Sequence, residues 1–233
     1  MATLKVMSAG AVKAIMAALG AEFEKATGHT LDHVNGTAGS LRERLMGGEA
    51  ADLVCVPPKM IDEMEKAGIV VPGTRVDLCR SVTGVCIKAG APVPDISTPD
   101  ALKRALLATK SATFPDAKTG SSSGIYLKGM LERLGIAEAM AKKTILTPRG
   151  EEAARAVADG EAEIGATLIS EIVTVPGTRV IGPLPGELAN VNMYTGAIAT
   201  SCQQREAAAA LLKALTDPAG RARWTEAGLE PAF

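Results

Sequence analysis

Short apolar runs alternate with helical stripes from the first residues of the chain, and this alternation limits the folds open to it. Leu4 to Met7 reads as a buried strand, after which Val12, Ile15, Met16, Leu19 and Phe23 recur at helical spacing up to a stop at Gly28. His29 to Val34 gives a second strand and Leu41 to Met46 a short helix. Asp52 to Val56 forms a third strand ending at Pro57 and Pro58, and Lys59 to Ala67 a helix closed by Gly68. Such an order builds a parallel sheet with crossover helices, an α/β fold whose ligand contacts gather at the carboxyl ends of strands.

The pattern changes around Asp77 to Ala89, where Val82 to Ile87 reads as a strand with no helix before it. We read this as a passage into a second lobe. Thr98-Pro99-Asp100 starts a helix with a cap and a proline at its first position. Strands at Ser111 to Phe114, Thr144 to Leu146 and Ala162 to Ala166 then alternate with helices at Ser123 to Leu134 and Glu151 to Ala158. Asn190 to Ala197 reads as a second crossing strand, and helices at Arg205 to Leu215 and Ala219 to Ala227 return to the first lobe. The expected division is 1–80 with 197–233 for one lobe and 81–196 for the other.

Three loops of small residues precede helices in this scheme. They are Ser8-Ala9-Gly10-Ala11, Asn35-Gly36-Thr37-Ala38-Gly39-Ser40 and Gly120-Ser121-Ser122-Ser123-Gly124. Backbone NH groups and hydroxyls at the positive end of a helix can hold an oxyanion or a carboxylate without a formal cation. Each loop also reads as an ordinary capping turn. With 25 basic and 26 acidic residues the chain has no long-range field for nucleic acid or anionic lipid, and 3% aromatic residues leave no base-stacking platform. No run of about 18 apolar residues is present.

The order of Ser8 to Ala11, Gly39-Ser40-Leu41 with Gly48 to Leu53, and Ser123 to Tyr126 resembles the molybdate-binding protein family of bacterial ABC importers, over nearly the whole chain. The resemblance implies the type 2 periplasmic-binding fold, two α/β lobes joined by two crossing strands, with an oxyanion in the cleft. It also implies a membrane permease as partner. The family's first-loop serine falls at Ala11 and its tyrosine hydroxyl at Leu168, so both donors are missing here. The second-loop contact falls near Ala38 and Gly39, the third-loop backbone donor at Ser123, and the fourth region is Ala166 to Ser170, where Thr167 or Ser170 can supply an NH or hydroxyl. Loss of two donors to a buried anion, at about 1.5–3 kcal/mol each, turns the expectation from tight molybdate binding to anion binding in general.

The expected ligand contacts are therefore Ser8, Gly10, Ala11, Asn35, Thr37, Ala38, Gly39, Ser40, Ser121, Ser122, Ser123, Thr167, Ser170 and Tyr194. Arg42, Arg80, Lys118 and Arg149 are candidates to neutralise a carboxylate ligand, or plain surface charges. His33 lies toward the end of a strand where an acid or base is useful, while His29 reads as a turn residue and Glu171 as a base or a helix cap. Cys55, Cys79, Cys86 and Cys202 show no CxxC pair and no neighbouring His, so they read as buried free thiols.

No nucleophile motif, Walker loop or GxGxxG is present. The expectation is a monomeric solute-binding protein without metal or cofactor, closing its two lobes on a small anion. The alternative is an enzyme on the same fold that isomerises an unsaturated carboxylate such as aconitate, with His33, Glu171 or Lys118 as acid or base. A periplasmic location follows if a signal peptide was trimmed, and a cytoplasmic one if the native chain starts at Met1.

Overall fold

The computed structural model describes residues 1–233, which divide into two compact units, Met1–Arg80 with Met193–Phe233 and Ser81–Asn192. The chain changes unit twice, inside the strands Val76–Lys88 and Val191–Ile198. The second change falls after Asn192, four residues before the expected point. Thr195 to Ile198 carry the ladder with Val56 to Leu53, so this end of the strand belongs to the first unit's sheet.

In chain order, the first unit begins with β1 (Thr3–Ala9), α1 (Lys13–Thr27), β2 (Thr30–Gly36), α2 (Ala38–Met46), β3 (Leu53–Val56), α3 (Pro58–Lys66) and the start of β4 (Val76–Lys88). The second unit holds α4 (Pro99–Ala108), β5 (Ala112–Pro115), α5 (Ser122–Arg133), α6 (Ala137–Ala141), β6 (Thr144–Thr147), α7 (Gly150–Asp159), β7 (Ile164–Leu168), α8 (Ile169–Ile172) and β8 (Thr178–Pro183). The chain then returns through β9 (Val191–Ile198) to α9 (Arg205–Leu215), α10 (Arg221–Glu226) and β10 (Leu229–Pro231). Four of these, α6, α8, β8 and β10, are short or polar enough to have no periodic signature in the sequence.

In the first unit, β1 pairs in parallel with both β2 and β3, and β3 pairs antiparallel with β9. Met7, Val54, Val56 and Ala197 bury one face of this sheet against Leu41 and Leu45 of α2 and Met60, Ile61 and Met64 of α3. α1 and α9 pack together, and Met16, Leu211 and Leu215 meet Val6, Leu31 and His33 of the sheet. α1 stops where predicted because Gly28 adopts φ 74°, a left-handed conformation that glycine enters without a Cβ clash. Trp224 of α10 is fully enclosed and donates from Nε1 to the Leu215 carbonyl (3.2 Å).

In the second unit, β5 pairs in parallel with β6 and β7, while β4 runs antiparallel to β7 and β8. Val85, Phe114, Ile164 and Ala166 form a core with Leu102 and Leu106 of α4 and Leu127, Met130 and Leu131 of α5. α4 begins at the predicted cap, with Thr98 Oγ1 accepting from the Ala101 NH (3.1 Å) and Pro99 inside the first turn.

Candidate functional site

The parallel strands β1 and β2 of the first unit end side by side, with Ser8 level with Asn35 and Val6 level with His33. Because side chains alternate along a strand, His33 and Asn35 share a face, and Ser8 joins them from the neighbouring strand. Ser8 is wholly buried, donates from Oγ to Asn35 Oδ1 (3.1 Å) and lies 2.7 Å from His33 Nε2. Ser8 thus links the other two polar groups under the first loop. Burial, then the nearby Lys13 charge, lowers the His33 pKa from its ordinary 6.5, with Asp32 opposing. Gly10 and Ala11 form a single 3-10 turn ahead of α1, and Ala11 is buried.

In the second loop, Thr37 caps α2 by accepting from the Ser40 NH (3.1 Å), and Ser40 Oγ donates to the Thr37 carbonyl (3.0 Å). These two hydroxyls therefore hold the loop in shape. Ala38 and Gly39 form the first turn of α2, and all four residues are half-buried.

The second unit assembles the longer polar chain. Ser121 caps α5 and accepts from the Gly124 NH (3.3 Å), while its Oγ lies 3.2 Å from Ser123 Oγ. Ser123 Oγ is 3.4 Å from Thr167 Oγ1 at the end of β7, and Thr167 donates to Glu171 Oε2 on α8 at 2.6 Å. Ser121, Ser123 and Thr167 are at most 8% exposed. The chain reaches Thr167 because α5 presses on the end of β5, where a Cβ on Gly124 would stand 2.5 Å from the Pro115 carbonyl oxygen. Glu171 is partly exposed as a residue, yet its carboxyl is tucked against the first turn of α7, where a Cβ on Gly150 would fall 1.9 Å from Oε2. Burial pushes this carboxyl above the usual range, against the bonds from Thr167 and the Leu168 backbone, and the Glu151 charge adds to the rise.

The remaining candidates separate. Ser170 is buried and pairs with Ser81 Oγ (3.0 Å), while Ser122 is half-buried in the first turn of α5. Tyr194 is 1% exposed on β9, inside the first unit. Arg42 is bound to Glu63 (2.7 Å), and Arg80, Lys118 and Arg149 are exposed. His29 stacks on Phe23 at 5.8 Å and its Nδ1 accepts from the Ala2 NH, a packing role. All four cysteines are free and buried. No group of three His, Cys, Asp or Glu side chains is placed to hold a metal, and no helix is long and apolar enough to cross a membrane.

Two features escaped the sequence reading. Ser8, His33 and Asn35 form one cluster, which the alternation of His33 and Asn35 along β2 would have revealed once β1 was set beside it. Asn192 on β9 carries an enclosed Nδ2 with no hydrogen-bond partner, and nothing in its neighbourhood of the sequence marks it.

A family model of bacterial extracellular solute-binding proteins matches residues 4–230. The chain belongs to this family. Among relatives of this solute-binding chain, an aconitate isomerase from a Pseudomonas species is 33% identical over 235 residues, covering 98% of this chain and 88% of that protein. The periplasmic molybdate-binding protein of Azotobacter vinelandii has a similar structure, with a TM-score of 0.81 at 18% identity, covering 97% of this chain and 98% of that one. A sulfate-binding protein of Mycobacterium tuberculosis gives a TM-score of 0.75 at 17% identity, over 100% and 88% of the two chains. The fold is that of the periplasmic binding proteins, two α/β units joined by two crossing strands, as the resemblance to molybdate-binding proteins implied.

Proposed function

We propose that this solute-binding protein captures a small, multiply charged anion with hydroxyl and backbone donors, and that a carboxylate suits it better than molybdate. The observation that carries the reading is the buried run Ser121, Ser123 and Thr167 beside the amino end of the 12-residue helix α5. Hydroxyls of this kind satisfy an anion with directed hydrogen bonds, and the helix end adds favourable potential. In the first unit, the Thr37 to Ser40 loop at the start of α2 is a second small-residue helix start of the same kind. Ala11 and Leu168 supply no hydroxyl where the molybdate-binding pattern has one, which weakens a tetrahedral oxyanion more than a ligand with several carboxylates. Delivery to a membrane permease from an extracytoplasmic compartment completes this reading.

Calorimetric titration with molybdate, tungstate, sulfate, citrate and trans-aconitate tests it. Saturable binding of a carboxylate, weakened by Ser123→Ala, is the expected result. Absence of heat across the whole panel would sink the proposal.

A second reading draws on the 33% identical aconitate isomerase and on Glu171, a carboxyl held above the usual range beside the same hydroxyls. Isomerisation of an unsaturated tricarboxylate removes a proton from the methylene next to the double bond. The electron pair is delocalised over the allylic carbons and carboxylate, and the proton returns to the far allylic carbon. Hydroxyl donors would stabilise the charge that develops on the carboxylate oxygen. Proton NMR of trans-aconitate in deuterated water separates the readings. Conversion or deuterium incorporation supports the enzyme, and binding with neither supports the receptor.

A further inference from the structure

We propose that the second unit's anion site is proton-linked, each bound anion bringing one proton onto the Glu171 carboxyl. This rests on the reading of Ser121, Ser123 and Thr167 as anion donors.

The supply of hydroxyl protons at this site is limited. Thr167 has one, and at 2.6 Å from Glu171 Oε2 it is committed to a short, charge-assisted bond whenever that carboxyl is ionised. Thr167 Oγ1 can then only accept, which draws the Ser123 proton toward it, and Ser123 in turn draws the Ser121 proton. Ser121 Oγ already accepts from the Gly124 NH, so its own proton is the one it gives to Ser123. With Glu171 ionised, all three hydroxyls point their protons inward and present lone pairs outward. An anion needs the opposite.

Protonation of Glu171 supplies a donor to Thr167 and lets the chain reverse, so that a proton emerges at the Ser121 end. It also removes a negative charge from the vicinity of the incoming anion. Both effects favour the protonated carboxyl when an anion is present. Linkage makes the effect reciprocal, so the bound anion raises the Glu171 pKa and binding takes up a proton between the free and bound values. Affinity therefore falls as pH rises through the free protein's Glu171 pKa.

The surroundings act on this carboxyl in opposing directions, with burial the largest influence. Burial and the Glu151 charge on α7 favour the protonated form, and Glu151 is bridged to Arg155 (3.1 Å). The amino end of α7, Thr167 and the Leu168 backbone favour the ionised form. Of the neighbouring elements, β7 carries no ionisable side chain, β8 packs on α8 and carries Arg179, and Arg149 before α7 is exposed.

The test is calorimetry with trans-aconitate, sulfate and molybdate in two buffers of different protonation enthalpy, between about pH 5.5 and 8, where trans-aconitate and sulfate are essentially ionised. About one proton taken up per anion, with Kd weakening toward about tenfold per pH unit, is expected for the wild type. Glu171→Gln should abolish the uptake and flatten the pH profile. If that variant does not fold, Thr167→Val, which cuts the chain beside the carboxyl, should flatten the profile instead. Binding without proton uptake, or uptake that persists unchanged in Glu171→Gln, overturns the proton link and leaves the binding reading intact. No binding of any of the three removes both.

Discussion

His33 Nε2 and Ser8 Oγ meet at 2.7 Å across the adjacent parallel strands β1 and β2. Ser8 gives its proton to Asn35 Oδ1, so its oxygen is the acceptor that His33 requires, and the ring carries its proton on Nε2. Serine here is not poised as a nucleophile. Its proton points away from the histidine, and the cluster instead fixes the carboxyl ends of β1 and β2 from which the first two small-residue loops spring.

The first prediction follows from the His33 environment. Burial and Lys13 lower its pKa from 6.5 in the folded chain, so the unfolded chain binds the proton more readily. This stability is complete above the unfolded pKa of about 6.5 and is lost as pH falls through that value toward the folded one. Urea unfolding at about pH 7.5 and pH 5 should show a larger loss for wild type than for His33→Gln, whose amide keeps a donor for Ser8 without titrating. Equal losses in the two proteins would remove His33 as the cause.

Two glycines of the same helix should respond in opposite directions. Gly124 presses on β5, and a Cβ there would lie 2.5 Å from the Pro115 carbonyl oxygen, a backbone atom that cannot step aside cheaply. Gly124→Ala should cost about 1–3 kcal/mol in denaturant unfolding and weaken anion binding by displacing the start of α5. At Gly129 the nearest atom is the mobile Arg133 guanidinium at 3.6 Å, so Gly129→Ala should gain about 0.5–1 kcal/mol from helix propensity alone.

These cases show what the sequence made legible. Helices with a clear apolar stripe and a cap, such as α1 ending at Gly28 and α4 starting at Thr98, were readable because both signals are local. α8 and β8 were not, since four and six residues of mixed polarity carry no period. At the candidate site the loops were readable as loops, yet their hydroxyl partners were not. Ser123 meets Thr167 over 44 positions and Ser81 meets Ser170 over 89, and such pairings depend on which strands lie side by side. That depends on long-range packing, which a local pattern does not encode.

The cysteines provide a check on both cores. Cys55 and Cys79 are wholly buried, desolvation holds their thiols far above the ordinary range, and that of Cys86 is pushed up to about 12. A thiolate is the reactive form, so these groups should be inert in the native protein. A disulfide-exchange reagent should label essentially none of these three under native conditions and all four cysteines in denaturant. Rapid native labelling assigned by mass spectrometry to any of the three would contradict the packing described.

Glu171 makes the last prediction, one that needs no ligand. Its folded-state pKa is raised above the ordinary 4.5, chiefly by burial, so the folded protein holds the proton more tightly than the unfolded chain. Stability from this group is therefore fully present below the unfolded pKa and is lost as pH rises through the folded one. Once pH has risen past the folded-state pKa, the wild type holds a carboxylate whose desolvation is only partly offset by the Thr167 hydroxyl and the Leu168 backbone. Glu171→Gln keeps an oxygen to accept from Thr167 but carries no charge, so its stability should not depend on this equilibrium. Thermal unfolding across about pH 4 to 8 should then show the variant's advantage over wild type growing with pH. A constant difference between the two proteins across that range would mean that Glu171 does not titrate there, and that its carboxyl is an ordinary ionised cap for the first turn of α7.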